Sequence, residues 1–181
     1  MASPPELLVT LANLEVARKP GRGPRSKPDP LATTASAALA LGTERVSETD
    51  LVQLRALHEI VVELVTALVD RRPPDRQVAR LTELAAASKA RADLEVSDSG
   101  ELRERLRWSD PTLVSGLARR VVHELGALDR ARLRRCARPE CDLVFYDTTK
   151  SNTRRWHAES PCGQRERQHR FREAHGPTPG V

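Results

Sequence analysis

Aromatic residues are scarce in this chain of 181 residues, where two Trp, one Tyr and two Phe make up 3% of the sequence. A core must therefore be built from Leu, Val and Ala, which favours helices. No run of about 20 apolar residues is present, so no segment is typical of a membrane span. The N-terminus lacks the basic start and apolar stretch of a secretory signal. We expect a cytoplasmic protein that has no membrane partner.

Signatures of catalysis are also missing. Residues 1–129 contain no Gly-rich phosphate loop, no spacing typical of a catalytic triad and no paired carboxylate motif. We therefore do not expect an enzyme, and the chemistry that the sequence does offer lies near its C-terminal end.

The net charge of +5 is unevenly distributed along the chain. Residues 130–175 hold twelve Lys or Arg against six Asp or Glu, whereas residues 1–129 hold eighteen against nineteen. A local basic patch favours an anionic partner, of which nucleic acid is the commonest. The alternative is a solvated basic face that binds nothing.

The three cysteines of the chain are Cys136, Cys141 and Cys162, and His157 lies between the last two. In a reducing compartment, clustered cysteines indicate metal binding more than disulfides. Four Cys or His ligands are typical of a structural zinc site, and they leave no open position for catalysis. We predict one zinc ion. Free cysteines beside a chance histidine are the alternative, and a redox switch is less favoured because no CxxC motif is present.

Helical periodicity dominates residues 1–129. Ser47 to Asp50 resembles a capping box, and Leu and Val then recur at three- and four-residue steps. Aspartate–proline pairs at 29–30 and 110–111 predict helix starts, and Gly42 predicts a helix end. We predict helices over about 30–41, 48–70, 75–87 and 111–129, and over 6–17 either a helix or a strand. Within that last segment, Asn13 is interpreted as a capping group or as the lining of a pocket.

Residues 93–108 alternate apolar and polar types on either side of Asp98-Ser99-Gly100, which predicts a β-hairpin with its turn there. Residues 18–30 hold four prolines and two glycines, and they predict an exposed loop.

The cysteine-containing segment reads as a knuckle, a short strand at 143–146, a polar turn and a helix. Ser160-Pro161 predicts the start of that helix, with Cys162 in its first turn and Phe171 packed on the module. The predicted fold is α+β and mostly α. It comprises a helical N-terminal domain with a β-hairpin (1–129), a small treble-clef-like zinc finger (130–175) and a flexible tail (176–181).

Basic side chains surround the predicted zinc site, and arginines on a small rigid module suit contacts with phosphates and guanine edges. The predicted nucleic-acid contacts are Arg154, Arg155, Arg165, Arg167, His169, Arg170 and Arg172. The alternative is a protein-interaction module that docks this basic surface on an acidic partner.

The C-terminal segment resembles the CGNR zinc-finger family of bacterial proteins. The matching stretches are 134–136, Cys141, 143–147, 151–152, 154–157 and 162–165. The preceding part is similar, by order of elements, to the ABATE domain that accompanies this finger. The resemblance implies a stress-induced transcription regulator whose finger binds DNA and whose N-terminal domain senses a small-molecule ligand or forms a homodimer. Two departures are that His157 replaces a cysteine and Gln164 replaces the asparagine of the motif.

Overall fold

The computed structural model describes residues 4–14 and 29–175, so the tail at 176–181 and most of the predicted loop at 18–30 lie outside the described residues. The chain is mostly α with two small antiparallel sheets, which confirms the predicted α+β class. None of the described helices is long and apolar enough to cross a membrane. The elements are α1 (Glu6–Asn13), α2 (Thr34–Leu41), α3 (Glu48–Val69), α4 (Asp75–Ala85), β1 (Lys89–Val96), β2 (Leu102–Ser109), α5 (Leu113–Gly126), β3 (Leu133–Arg135), β4 (Val144–Tyr146) and α6 (Gln164–His175).

Helix α3 is the centre of the core. Its Leu57 and Val61 are fully buried, and α1, α4 and α5 pack around it. Burying one such side chain contributes about 1.5–3 kcal/mol, so the apolar stripe read from the sequence accounts for this arrangement. The α3 side chains that face the core are Leu51, Leu54, Leu57, Ile60, Val61, Leu64 and Val65.

The predicted boundaries of α3 and the end of α2 are confirmed. The Ser47 hydroxyl accepts a hydrogen bond from the Asp50 N–H at 3.0 Å, and the Asp50 carboxylate accepts one from the Ser47 N–H at 3.3 Å. Gly42 ends α2 with φ 64°, a backbone conformation that favours glycine.

The two predicted starts at aspartate–proline pairs are wrong by a few residues. Helix α2 begins after Thr33 and helix α5 after Thr112, and each threonine exchanges hydrogen bonds with the serine three residues later. These reciprocal bonds satisfy backbone N–H groups that the proline starts would leave open. Asp29 instead accepts a hydrogen bond from the Leu31 N–H, at 2.9 Å.

Strands β1 and β2 form the predicted hairpin, with longer strands than the sequence indicated. The register runs from Val96 opposite Leu102 to Lys89 opposite Ser109, and Gly100 in the turn has φ 79°. One face carries ion pairs, among them Arg107 to Asp93 at 2.6 Å. The other face is apolar except for Glu104, which lies opposite Leu94, and its large apolar side chains are exposed: Leu94, Val96, Leu102, Leu106 and Trp108.

The small β3–β4 sheet is joined directly to the helical core. Leu133 and Val144 belong to the same buried cluster as α1, α3 and α5. The Asn13 Nδ2 donates to the Val144 carbonyl at 2.8 Å, and the Val144 N–H donates to Asn13 Oδ1 at 2.9 Å. Asn13 is therefore neither a helix cap nor a pocket lining. Its amide group makes the same pair of backbone hydrogen bonds with β4 that a residue of an adjacent strand would make. The domain boundary at 129–130 stays a prediction.

Candidate metal centre

The three cysteines and His157 converge at one place. Their candidate ligand atoms all lie within 4.8 Å of one another, with Cys136 and Cys162 buried and the other two half-buried. With Zn–S bonds of about 2.3 Å, the ligand atoms of a tetrahedron stand about 3.8 Å apart, so the spread fits a single ion. The four side chains form a site for one structural zinc ion.

The first two ligands are positioned by a tight turn that follows β3. The Cys136 N–H donates to the Leu143 carbonyl at 2.8 Å, which continues the β3–β4 pairing by one residue. The Cys141 N–H donates to the Arg138 carbonyl at 3.0 Å and closes the turn. Backbone bonds thus direct both thiols to the same side, as the predicted knuckle requires.

Protonation of the ligands is consistent with a metal site. Burial, and then the charge of Arg154, lower the pKa of His157, so the imidazole is held neutral. Burial raises the pKa of Cys141 to about 12, and the neighbouring thiol of Cys136 adds to the effect. Neutral imidazole is the form that binds zinc, and the thiols give up their protons when a divalent cation supplies the compensating charge. The Nδ1 of His157 lies 3.5 Å from the Sγ of Cys141.

The loop between the two ligand pairs is built around Asp147, whose side chain is fully buried. One carboxylate oxygen accepts from the Thr149 N–H at 2.9 Å and from the Thr149 hydroxyl at 2.6 Å, and the other accepts from the Arg154 N–H at 2.8 Å. Burial alone raises the pKa of Asp147. The bonds from Thr149 and Arg154, together with the charge of Arg134, outweigh burial and hold the pKa below its ordinary value.

Two arginines bind this loop to the neighbouring part of the chain, one from the turn before β3 and one from β3 itself. Arg132 Nη1 donates to the carbonyls of Asp147 and Thr149, at 3.0 and 2.8 Å. Arg134 Nη2 donates to the Asn152 carbonyl at 2.7 Å, and Asn152 has a left-handed backbone with φ 49°. Sequence reasoning missed these contacts, because no local pattern indicates which distant carbonyls an arginine reaches.

Arg154 was predicted to contact nucleic acid, but in the structure its half-buried side chain points into the zinc finger. Its Nε donates to the Trp156 carbonyl at 2.9 Å, its Nη2 donates to the His157 carbonyl, and the guanidinium lies over the Phe145 ring. These bonds fix the backbone of the third zinc ligand. Arg154 is therefore a positioning residue for the metal centre.

The predicted helix start at Ser160-Pro161 is confirmed by the backbone. Ser160 is extended, with φ −110° and ψ 127°, and it is the one non-helical residue within Glu159–Gly163, a wide turn that continues directly into α6 at Gln164. Cys162 therefore lies in the first helical turn after Pro161, as predicted. The turn directs Cys162 toward the other ligands. The Glu159 carboxylate pairs with Arg167, and it lies so close to Gly163 that a Cβ there would stand 2.7 Å from Oε2.

Helix α6 presents its basic residues to solvent. All of its side chains that the structure describes are exposed except Glu166, which is half-buried. Arg170 pairs with Glu166 and His169 with Glu173, both at 3.4 Å. Arg165 and Arg172 have no acidic partner among the described residues.

Two aromatic side chains complete this surface. Phe171 was predicted to pack on the zinc module, and that prediction is wrong: it is 64% exposed and stacks on His175 with ring centroids 4.4 Å apart. The exposed Arg155 lies over the Trp156 ring, 5.3 Å from its centroid. Of the predicted nucleic-acid contacts, all except Arg154 are exposed.

Comparison with known families agrees with this geometry. Residues 132–175 match the CGNR zinc finger, and the matched stretch contains all four converging ligands. Residues 6–140 match the ABATE family, described as "putative stress-induced transcription regulator". The chain belongs to the ABATE family. No curated protein matches the chain significantly. In this ABATE protein, the family resemblance read from the sequence is confirmed over both its parts.

Proposed function

We propose that the protein is a zinc-dependent, DNA-binding transcription regulator in which α6 contacts DNA. The observation that supports this most is a basic helix that projects from the metal centre and buries almost none of its side chains. A helix with so few apolar side chains obtains little stability from packing on its own fold, and its basic side chains stay accessible to another molecule. An α-helix fits the major groove of B-DNA.

The arginines on this helix are placed for such a contact. Arg165, His169 and Arg172 share one face because they follow helical spacing. Arg165 and Arg172 keep their charges free of acidic neighbours among the described residues, so they are available to phosphates or guanine edges. Zinc sets the direction of this face because Cys162 lies two residues before α6 begins.

Fluorescence anisotropy with mixed-sequence duplexes tests the proposal. Affinity should fall with salt, with a log–log slope of roughly one unit per neutralised phosphate. The double variant Arg165→Ala, Arg172→Ala should lower that slope by about two. The matched control is Arg45→Ala, Arg76→Ala, which removes two exposed arginines from the helical part and should leave the slope unchanged.

Metal removal provides the second arm of the experiment. A chelator should abolish duplex binding, and added zinc should restore it, because the metal orders the turn that carries α6. Failure to bind any duplex, or a signal that does not change with salt, would contradict the proposal.

A second candidate is docking of the basic finger on an acidic protein partner. The exposed Phe171 favours it, because an aromatic side chain at the end of a charged helix is a common anchor in protein interfaces. This candidate predicts that a partner is captured from nuclease-treated extract and lost with Phe171→Ala. The same substitution should leave duplex affinity unchanged.

Ligand sensing by the helical part is a proposal that rests on the family resemblance. The candidate site is a cleft of about 350 Å³ at the start of α5, lined by Asp110, Pro111, Thr112, Leu113, Gly116, Leu117 and Arg120. A small molecule that binds there should raise the melting temperature, and Arg120→Glu should remove the effect.

A further inference from the structure

The β1–β2 hairpin carries an apolar face that the rest of the described chain leaves exposed. Leu94, Val96 and Leu102 are each about two-thirds exposed, and Leu106 and Trp108 about half. An isolated two-stranded hairpin is marginally stable in water, whereas a sheet of more strands with an apolar face can be stable. Glu104 on β2 is the one charged side chain on this face, and along β1 the apolar side chains follow one another without a break. An exposed apolar strip of this kind indicates a surface that meets another molecule.

The hairpin also has two free edges. Among the described residues, β1 and β2 form a two-stranded sheet, so each strand has an outer edge that pairs with no other strand. The charges along the two edges differ. On the face that carries the ion pairs, the charged residues of β2 are all arginines, namely Arg103, Arg105 and Arg107, and the strand ends on this face with Ser109. Strand β1 begins with two cations and ends with two anions, in the order Lys89, Arg91, Asp93 and Glu95.

This order makes β1 complementary to itself. If two copies pair antiparallel about a two-fold axis through Ala92, Arg91 faces the partner's Asp93 and Lys89 faces the partner's Glu95. On the apolar side, Ala90 then faces the partner's Leu94. Opposite charges directly across an antiparallel pair stabilise it, and an isologous interface requires this kind of self-complementarity.

The same operation on β2 gives the opposite result. A two-fold axis through Arg105 sets Arg105 against its own copy and Arg103 against the partner's Arg107. Like charges directly opposite each other destabilise strand pairing. The arginines therefore protect the β2 edge from association, and β1 is the edge that can accept a second chain.

We propose that two copies of the chain associate through their β1 edges and form a four-stranded antiparallel sheet in the order β2–β1–β1–β2. Ala92 lies at the two-fold axis, directly opposite its own copy. The apolar strips of the two hairpins then join into one continuous face. The pairing uses no residue of the metal centre or of α6, so it is independent of the proposed DNA contact.

Disulfide cross-linking locates the interface. In the paired sheet, the Cα atoms of Ala92 and its copy are about 4.5–5.5 Å apart, within the range of a disulfide in an Ala92→Cys variant. Leu106 lies opposite Ala92 on the outer strand, about three strand spacings or 14 Å from its copy. Under mild oxidation of the zinc-loaded full chain, Ala92→Cys should form a covalent dimer, and the matched control Leu106→Cys should not.

Charge exchange tests the register. Arg91→Asp sets two carboxylates against each other across the axis and should raise the dimer dissociation constant, measured by sedimentation, at least about tenfold. Adding Asp93→Arg to the same chain should restore association. Circular dichroism and zinc content identify any variant that has failed to fold, and such a variant is replaced by Ala92→Arg, which should also dissociate the dimer.

Three results would overturn the proposal. The first is a folded chain that stays monomeric up to roughly 100 µM, a weak-affinity limit. The second is an unchanged dissociation constant for Arg91→Asp. The third is cross-linking of Leu106→Cys without Ala92→Cys, which would indicate that the apolar faces stack instead. None of these outcomes depends on whether the protein binds DNA.

Discussion

The side-chain amide of Asn13 makes both a donor and an acceptor hydrogen bond with the backbone of Val144, at 2.8 and 2.9 Å. The two residues are 131 positions apart in the chain. One belongs to the first helix and the other to the strand that follows the zinc knuckle. The amide thus couples the N-terminal helix to the strand through which the zinc finger joins the core.

We expect Asn13→Ala to lower the free energy of unfolding by about 1–3 kcal/mol, because it leaves a half-buried N–H and carbonyl of β4 without partners. Urea unfolding of the zinc-loaded protein measures this as a lower midpoint with an unchanged slope. Thr10→Ala removes an exposed side chain from the same helix and is the matched control. Equal midpoints for the two variants would show that the amide contributes nothing.

His157 can be tested against the other ligands. The variant His157→Cys should keep about one zinc per chain, because four thiolates also form a structural zinc site. His157→Ala and Cys162→Ser should both lose tightly bound zinc. Elemental analysis after dialysis against a competing chelator gives the result, and stoichiometric zinc in His157→Ala would remove this residue from the ligand set.

Asp147 should make stability depend on pH. Its pKa is lowered in the folded protein, so the stabilisation is fully present above the unfolded value of about 3.9 and is lost as the pH falls through the folded pKa. At pH 7, Asp147→Asn should cost about 2 kcal/mol, since an amide cannot accept all the bonds from Thr149 and Arg154. Urea unfolding between pH 7 and pH 3 should show the curves of wild type and variant converging at the acid end. A constant difference would contradict this account.

Two glycines should respond to alanine in opposite directions. Gly42→Ala should destabilise the protein by about 1–2 kcal/mol, because the residue ends α2 with a positive φ. Gly126→Ala should be neutral or stabilising by up to about 1 kcal/mol, because that residue lies within the last turn of α5 and a Cβ there meets nothing within 4 Å. Thermal unfolding of both variants makes the comparison, and a loss of stability in Gly126→Ala would be the contrary result.

Features that depend on local chemistry could be predicted from the sequence. The capping box at Ser47 and Asp50, the stop at Gly42 and the hairpin turn at Gly100 each follow from the backbone needs of neighbouring residues. The zinc ligands were also predictable, because three Cys and one His at this spacing are typical of a structural zinc site. The helix starts predicted at the aspartate–proline pairs 29–30 and 110–111 failed because a Thr–Ser capping pair a few residues later satisfies more backbone groups.

Contacts between distant residues could not be predicted in this way. The periodicity of α1 does not indicate that Asn13 meets β4. A single side chain that bonds to a distant strand leaves no repeating pattern in the sequence. Arg154 and Phe171 were each expected in the opposite environment. The charged side chain of Arg154 points into the zinc finger, and the aromatic ring of Phe171 is exposed to solvent. From the residue types alone, the arginine would be expected outside and the phenylalanine inside. Two backbone carbonyls and the Phe145 ring surround the Arg154 guanidinium and explain why its charge is tolerated there.

The burial of Leu133 and Val144 among the helices has a consequence for how the cell's metal supply acts on the protein. Because binding to the folded state alone stabilises that state, zinc protects every element that unfolds together with β3 and β4. A chain starved of zinc should therefore be cut by proteases in α1 as readily as in the finger. The half-life of the whole protein, and not only the structure of its zinc finger at 132–175, would then follow the availability of zinc.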